Sequence, residues 1–400
     1  MNLAAVLNNA AFRRAEAAIA TGFDRFVQDI ITLTEIPAPP FQEGVRAESY
    51  RAMLTEAGLA EVSLDGEGNV LGLRPGRSGD HVICIAAHLD TVFPPGTDTR
   101  VRRDGNRLYA PGVGDDTRGL AVLLALARAM TQAGLETRHD ILFVADVGEE
   151  GPGDLRGMRH LFQNGAYAGK IAGFFTFDGS DMETLVTGGI GSRRYRVTFS
   201  GPGGHSFNDF GIVNPSNALG DFLAGLARVP VPKVPRTTFS ASVLGGGTSI
   251  NAIPQNVWVD VDLRSADPDA LAKLDGRMRD IVDNAVAAEN ARGNTVKGAV
   301  VAKFAQVGNR PASAMLTSGP IIDESVAALA AYGFEATFEA SSTDANIPLS
   351  LGIPAVMFGS GTAAGSAHTL EEWIDVEPEG GIRALAASLA AVVAVAGIAE

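Results

Sequence analysis

The chain has 400 residues, enough for two or three domains. Apolar residues make up 46% and charged residues 20%, the balance of a globular protein with ample material for a core. With 32 Lys and Arg against 46 Asp and Glu the net charge is −14, which argues against the basic face of a general nucleic-acid binder.

In chain order, the N-terminal stretch MNLAAVLNNAAFRRAEAAIATG reads as a surface helix. Arg13, Arg14 and Glu16 break the basic-then-apolar order of a secretory signal, so a cytoplasmic location is expected. HVICIAAH (81–88) is a strand, and Cys84 within it, the single cysteine, is expected to be a buried, inert thiol. DTRGLAVLLALARAMTQAG (116–134) is a helix closed by Gly134. DILFVADV (140–147) and IAGFFTFD (171–178) are strands, with LRGMRHLFQNG (155–165) a short helix between them. Near-continuous apolar strands separated by helices predict a mostly parallel sheet covered on both faces.

The pattern changes near residue 190. In SRRYRVTFSG, Tyr195, Val197 and Phe199 alternate with Arg194, Arg196 and Thr198, so one face is wet. A helix after Asn214, strands TTFSASVL and NVWVDVDLR, a helix from Asp267 to Asn290 and a strand TVKGAVVAKFA complete a β-α-β-β-α-β order. That is a ferredoxin-like α+β unit inserted over 190–306. The α/β pattern then resumes over 307–400, with SGPIIDESVAALAAYG a helix and IPAVMFG a strand. The apolar run 384–399 is too short to cross a bilayer and reads as a packed helix, so no membrane partner is expected.

Acids and histidines gather at the strand ends. HVICIAAH ends in His88-Leu89-Asp90, DILFVADV runs into Glu149-Glu150, IAGFFTFD ends in Asp178, IPAVMFG leads to His368, and Asp115-Asp116 open a helix. Singly, each has a plain reading: a helix cap, a turn residue, a solvated side chain. Ligands of an open α/β sheet lie beyond the carboxyl ends of its strands, and at least four elements sending such groups to one edge point to a metal site instead. Carboxylates and imidazoles without sulfur suit zinc, and also manganese or cobalt. Two ions sharing a bridging carboxylate would neutralise the adjacent glutamates, one binding metal and the other free as a general base.

HLDTV, APGVGDDTRG, GEEGPG, FDG, SGPGGHS, GTSINAIP…DLR and SAHTLEE, in this order, resemble the M20 metallopeptidases: aminotripeptidases, glutamate carboxypeptidases and acetylornithine or succinyl-diaminopimelate deacylases. The resemblance implies a zinc-peptidase catalytic domain over 1–189 and 307–400, with the insert serving as lid and dimerisation domain. It implies two Zn2+ per subunit, with Co2+ or Mn2+ as substitutes. Asp115 would bridge the ions, His88 and Asp178 complete one site, and Glu150 and His368 the other. Glu149 would be the general base, and Asp90 would bond His88 and fix its tautomer. His205, reaching across from a partner subunit of a homodimer, would stabilise the oxyanion. Asn251 and Arg264 would hold a substrate carboxylate. A cis peptide between Asp115 and Asp116 is also implied. Thr117 stands where the family often has Lys, a departure that touches local packing.

Other motifs carry less. GPGDLRG and GSGTAAG lack G-x-G-x-x-G spacing, GGGTS lacks a phosphate-loop Lys, and no G-x-S-x-G elbow occurs. His81, His139 and His160 read as structural or solvated, and Arg193, Arg194 and Arg196 as a solvated face rather than a site for acidic substrates. The expected activity is hydrolysis of an amide beside a free carboxylate in a small peptide. An N-acyl-amino-acid deacylase with the same machinery, and a metal-free binding protein on this fold, are the alternatives.

Overall fold

The computed structural model describes residues 3–179 and 181–399. It divides into two compact units, Met1–Gly189 with Met315–Glu400, and Ile190–Ala314. The second junction falls after residue 306 because the last strand of the insert, Val301–Arg310, is displaced towards the C-terminus from TVKGAVVAKFA. Gly298 (φ 128) breaks extended backbone within that segment.

The larger unit is built on an eight-stranded sheet. Its spatial order is Ala60–Leu64, Val70–Arg74, Asp140–Asp146, Val82–His88, Ile171–Phe177, Ala355–Phe358, Thr184–Gly189, Thr337–Ser341. The centre is parallel: Val82–His88 pairs with both Asp140–Asp146 and Ile171–Phe177, and the latter with Ala355–Phe358. Antiparallel pairings enter at Val70–Arg74 and at Thr184–Gly189, neither of which shows strongly in the sequence. Every residue of Val82–His88 is buried, as expected for a strand covered on both faces. Cys84 is buried there, and burial pushes its thiol pKa well up, consistent with an inert side chain.

Thr117–Ala133 covers one face. Asp116 caps it by accepting from the Gly119 N–H at 3.1 Å, and Gly134 ends it in a left-handed turn (φ 59). Gly119 is required by close approach, since a Cβ would stand 2.0 Å from the Phe177 carbonyl oxygen. The N-terminus forms helices Leu3–Asn8 and Ala10–Thr21 rather than one surface helix, and Val6 and Phe12 are fully buried in the core. Pro378–Ala396 is apolar and long enough to span a membrane by length and composition, but 67% of its apolar window is buried inside the protein. The expected helix 155–165 is a single α-turn, Arg156–Arg159, followed by a π-turn, His160–Asn164.

The smaller unit has a four-stranded antiparallel sheet in the order Thr237–Gly246, Asn256–Ser265, Gly191–Ser200, Val301–Arg310. Helices Pro215–Leu226 and Pro268–Arg292 pack on one face. This is the ferredoxin-like arrangement. Tyr195, Val197 and Phe199 are buried beneath the helices, where each large apolar side chain contributes roughly 1.5–3 kcal/mol. On the other face Arg196 forks onto Asp260 (2.8 and 2.8 Å) over the Trp258 ring, and Arg194 meets Asp262 at 3.2 Å. Arg193, expected on that same solvated face, instead shares the covered face with Tyr195, two residues on, and pairs with Asp275 of Pro268–Arg292 at 2.6 Å.

Candidate metal centre

Strand ends and loops of the larger unit build the site. Val82–His88 finishes on His88, Ile171–Phe177 is followed by Asp178, and Asp140–Asp146 leads through Val147-Gly148 to Glu149-Glu150. Asp115-Asp116 precede the helix Thr117–Ala133, and their peptide bond is cis. The loop beyond Ala355–Phe358 carries His368, whose backbone is left-handed (φ 63).

Asp115 lies between two imidazoles. Its Oδ1 is 2.9 Å from His88 Nε2 and its Oδ2 is 2.9 Å from His368 Nε2. His368 Nε2 is also 3.1 Å from Glu150 Oε1. Donor atoms of Asp115, Glu150 and His368 all lie within 4.8 Å of one another, as do those of His88, Asp116 and Asp178, and those of His88, Glu149 and Glu150. The five ligands implied by the resemblance therefore converge, and Asp116 joins them. Its oxygens already accept from the His88 and Gly119 N–H groups, each at 3.1 Å, so it positions its neighbours.

The His88 ring tests the fit to a metal. Its Nδ1 is 3.0 Å from the Asp90 carbonyl oxygen, an acceptor only, so Nδ1 carries the ring proton. Nε2 then presents a lone pair to the Asp115 carboxylate, and it makes no hydrogen bond despite the 2.9 Å separation. Two acceptors at that distance repel unless a cation joins them. Without a metal the cation is a second ring proton. Burial opposes that charge, but the contact with Asp115 and the charges of Asp116, Asp115 and Asp178 outweigh it, and the His88 pKa rises well above its ordinary value. His368 is pushed up to about 11 by Asp115 and Glu150. Burial works against ionised Asp115, but the two histidines prevail and hold it well below the carboxylate range. Burial, with Asp115 nearby, pushes Asp178 up to about 7. This donor set, nitrogen and oxygen without sulfur, fits divalent zinc, manganese or cobalt.

Asp90 acts through more than its side chain. Its backbone carbonyl, not its carboxylate (3.7 Å away), holds the His88 ring. The carboxylate accepts the N–H groups of Glu149 (3.0 Å) and Glu150 (2.9 Å), fixing the glutamate pair. Burial pushes Asp90 up to about 6.

Three supports were not read from the sequence. Glu372 accepts the N–H groups of Gly112, Gly114 and Asp115 at 2.8, 2.8 and 2.9 Å, anchoring the loop that carries Asp115. It lies in SAHTLEE, so its motif was visible but not its partners. Asp146 and Asp344 are buried against each other; as carboxylates none of their four oxygens has a donor, and a proton on Asp344 supplies the hydrogen bond between them. Burial pushes Asp146 up to about 7 and Asp344 well above its usual range. Arg46 and Arg118 are buried nearby, with bonds to the carbonyls of Ile36 and Leu89 and to Ser360, Ala363 and Gly179. Thr117, at the departure from the family pattern, bonds the Gly112 carbonyl (2.8 Å) and the Thr34 hydroxyl (2.6 Å), a packing role.

His205, Asn251 and Arg264 belong to the smaller unit. His205 pairs with Ala252 in a short ladder, and the Ser206 N–H donates to the Asn251 carbonyl at 2.9 Å, so His205 and Asn251 are neighbours. Arg264 lies near the far end of Asn256–Ser265 and bonds Asp262 at 2.7 Å. The eight steps of strand from Asn256 to Arg264 span roughly 26 Å, so Arg264 stands far from the end of the strand that follows Asn251.

Residues 84–395 match the model of Peptidase family M20/M25/M40. The chain belongs to this family and is a metal-dependent hydrolase acting on peptide or amide bonds. It is 26% identical to carboxypeptidase G2 of Pseudomonas sp. (strain RS-16) over 50% of this chain, which spans 48% of that protein's length. It is 25% identical over 86% of its length to 92% of a Mycobacterium tuberculosis protein named for succinyl-diaminopimelate desuccinylase DapE. Among solved structures it is similar to aminopeptidase PepT of Bacillus cereus, with a TM-score of 0.76 at 19% identity, covering 94% of this chain and 99% of that one. The Bacillus subtilis YXEP protein, a dinuclear metal-binding M20 peptidase, gives 0.66 at 18% identity over 94% and 99% of the two chains.

Proposed function

We propose that the protein is a di-zinc peptidase that cleaves the amide beside a free carboxylate in a small peptide. The observation that carries the reading is Asp115, whose two oxygens each face a different histidine at 2.9 Å. One carboxylate with an imidazole at each oxygen supports two cations rather than one. When bound, such ions supply a polarised water and a Lewis acid for the scissile carbonyl. His88, Asp115 and Asp178 would hold one ion, and Asp115, Glu150 and His368 the other. Glu149 is buried and its backbone is held by Asp90; its carboxylate stands within ligand distance of His88 and Glu150, and we assign it the base, taking the proton of the attacking water and delivering it to the leaving amine. His205 would stabilise the oxyanion, and Asn251 and Arg264 the substrate carboxylate.

We also propose a homodimer formed through the inserted unit. The strand Thr237–Gly246 is a sheet edge with Val243 and Leu244 exposed, which suits pairing with a second copy. The separation of Asn251 from Arg264 supports the same reading, since two chains could supply them to one substrate. The net charge of −14 supports a small-molecule substrate rather than nucleic acid, and the cytoplasm is the proposed location. The long match to the DapE protein favours a second reading, removal of an acyl group from an N-acyl amino acid.

Metal analysis tests the centre: two equivalents of zinc per chain are expected, and Asp115→Ala should abolish binding of at least one. A single equivalent in the wild type refutes the paired site. Mass spectrometry of products from a pool of di- and tripeptides and their N-acylated counterparts then separates the two activities. Cleavage of free-amine peptides supports the peptidase, and cleavage of acylated members alone supports the deacylase.

A further inference from the structure

The loop ahead of the helix Gly44–Glu56 contains a backbone outlier. Phe41 has φ 66, a left-handed conformation that bulky residues rarely adopt, and its side chain is 61% exposed. An exposed aromatic ring gains little from burial, so packing does not offset the conformation. Such outliers concentrate where a side chain must be presented.

The surroundings hold Phe41 in place. Its N–H donates to Glu43 Oε1 at 3.0 Å, and the Arg156 guanidinium lies over its ring at 5.1 Å. Arg156 is fixed in turn by Glu43 at 2.6 Å and Glu67 at 3.0 Å. The stem of Arg156 packs on Gly148, where a Cβ would come within 2.6 Å of its Cγ, and Gly148 precedes Glu149. On the other side the Ala38 carbonyl accepts the Thr91 N–H at 3.0 Å, next to Asp90. Buried Arg46 ties the Ile36 carbonyl (2.9 Å) to the Leu89 carbonyl (2.6 Å). The Phe41 loop is therefore bound to both segments that form the metal centre, 88–91 and 148–150. Val92, 36% exposed, adds apolar surface beside Thr91.

We propose that Phe41 determines substrate specificity, presenting an apolar wall to the group flanking the scissile amide, so that the enzyme prefers an aromatic or branched aliphatic side chain there. The inference rests on the metal-hydrolase reading above and names the substrate class within it. Arg156, already neutralised by two glutamates, positions the ring rather than binding an anion.

The test uses the full-length zinc-loaded protein and four hydroxamic acids, R–CO–NHOH, with R methyl, isobutyl, benzyl or carboxyethyl, their affinities read by calorimetry. The wild type should bind the benzyl compound about tenfold more tightly than the methyl compound. Phe41→Gly should reduce that preference to within about twofold, and Phe41→Leu should keep most of it. Glycine adopts φ 66 without steric penalty, which offsets its loss of backbone freedom, so Phe41→Gly should melt within a few degrees of the wild type, which separates lost recognition from lost fold. Val45→Ser, at an exposed position on the following helix, should leave the series unchanged. A wild-type preference that survives in Phe41→Gly, or a wild type without any preference, overturns the role of Phe41 alone. A protein that binds no hydroxamate overturns the metal-centre reading and this inference with it.

Discussion

Two regions of the molecule are rich in charge, and they handle it in opposite ways. On the open face of the inserted sheet the arginines meet carboxylates of the same face: Arg196 has Asp260, and Arg194 and Arg264 share Asp262. These groups are partly solvated, water screens the charge left over, and nothing further is needed. At the strand ends of the larger unit, Asp90, Asp116, Asp146, Glu149, Glu150, Asp344 and Glu372 are buried. The nearby Arg46 and Arg118 bond mainly to carbonyl and hydroxyl oxygens. Burying a carboxylate is costly unless a cation or several donors meet it. The same residue types thus signal a self-contained surface in one place and a demand for external cations in the other. What distinguishes them is burial and the supply of donors.

The comparison breaks most visibly at Glu149. If it is the base rather than one more buried acid, Glu149→Gln should cut kcat by about 10²–10⁴ while zinc content is retained. Near-normal turnover removes the assignment. Glu372→Gln should come next. It keeps the shape but turns one acceptor into a donor facing backbone N–H groups, and should weaken zinc binding by about 10–100-fold in a competition titration. Unchanged affinity would make Glu372 a loop staple with no bearing on the metal.

Acidity sharpens the same contrast. In metal-free protein the folded-state pKa values of Asp146, Asp178 and Glu372 are raised to about 7 by burial, above their unfolded values. Their stabilising protons are fully bound below the unfolded pKa, near 4, and are lost as pH rises through about 7. Metal-free Tm should therefore fall by several degrees from pH 5 to pH 8, and zinc should restore it chiefly at the higher pH. A flat metal-free profile would contradict the burial argument. Asp344→Asn should soften that fall, because its amide donates to Asp146 at every pH, whereas the Asp344 carboxyl must stay protonated to do so. A gain of about 1 kcal/mol at pH 8, read by denaturant unfolding, is expected.

The smallest effect belongs to the inserted sheet. The Arg196–Asp260 pair is solvent-screened, so a double-mutant cycle should find little coupling between the two, with no change in zinc content. A larger coupling would mean that the open face does more than remain soluble.

Much of this organisation is legible in the chain. The apolar runs 81–88, 140–147 and 171–178 are strands because unbroken apolar stretches suit a sheet covered on both sides, and the alternation at Tyr195, Val197 and Phe199 marks a sheet covered on one. The acids and histidines that converge were visible as strand-end residues, since a strand's direction determines which edge its last residue reaches. Tertiary structure alone decided the partners. Asp344 meets Asp146 across 198 residues of sequence, Glu372 reaches back to Gly112, and Arg196 finds Asp260 through strand register. Periodicity arises from neighbours along the chain and can be read there. Pairing, proton sharing and the choice of which Asp115 oxygen faces which histidine depend on distances between segments, and those exist only once the sheet has assembled.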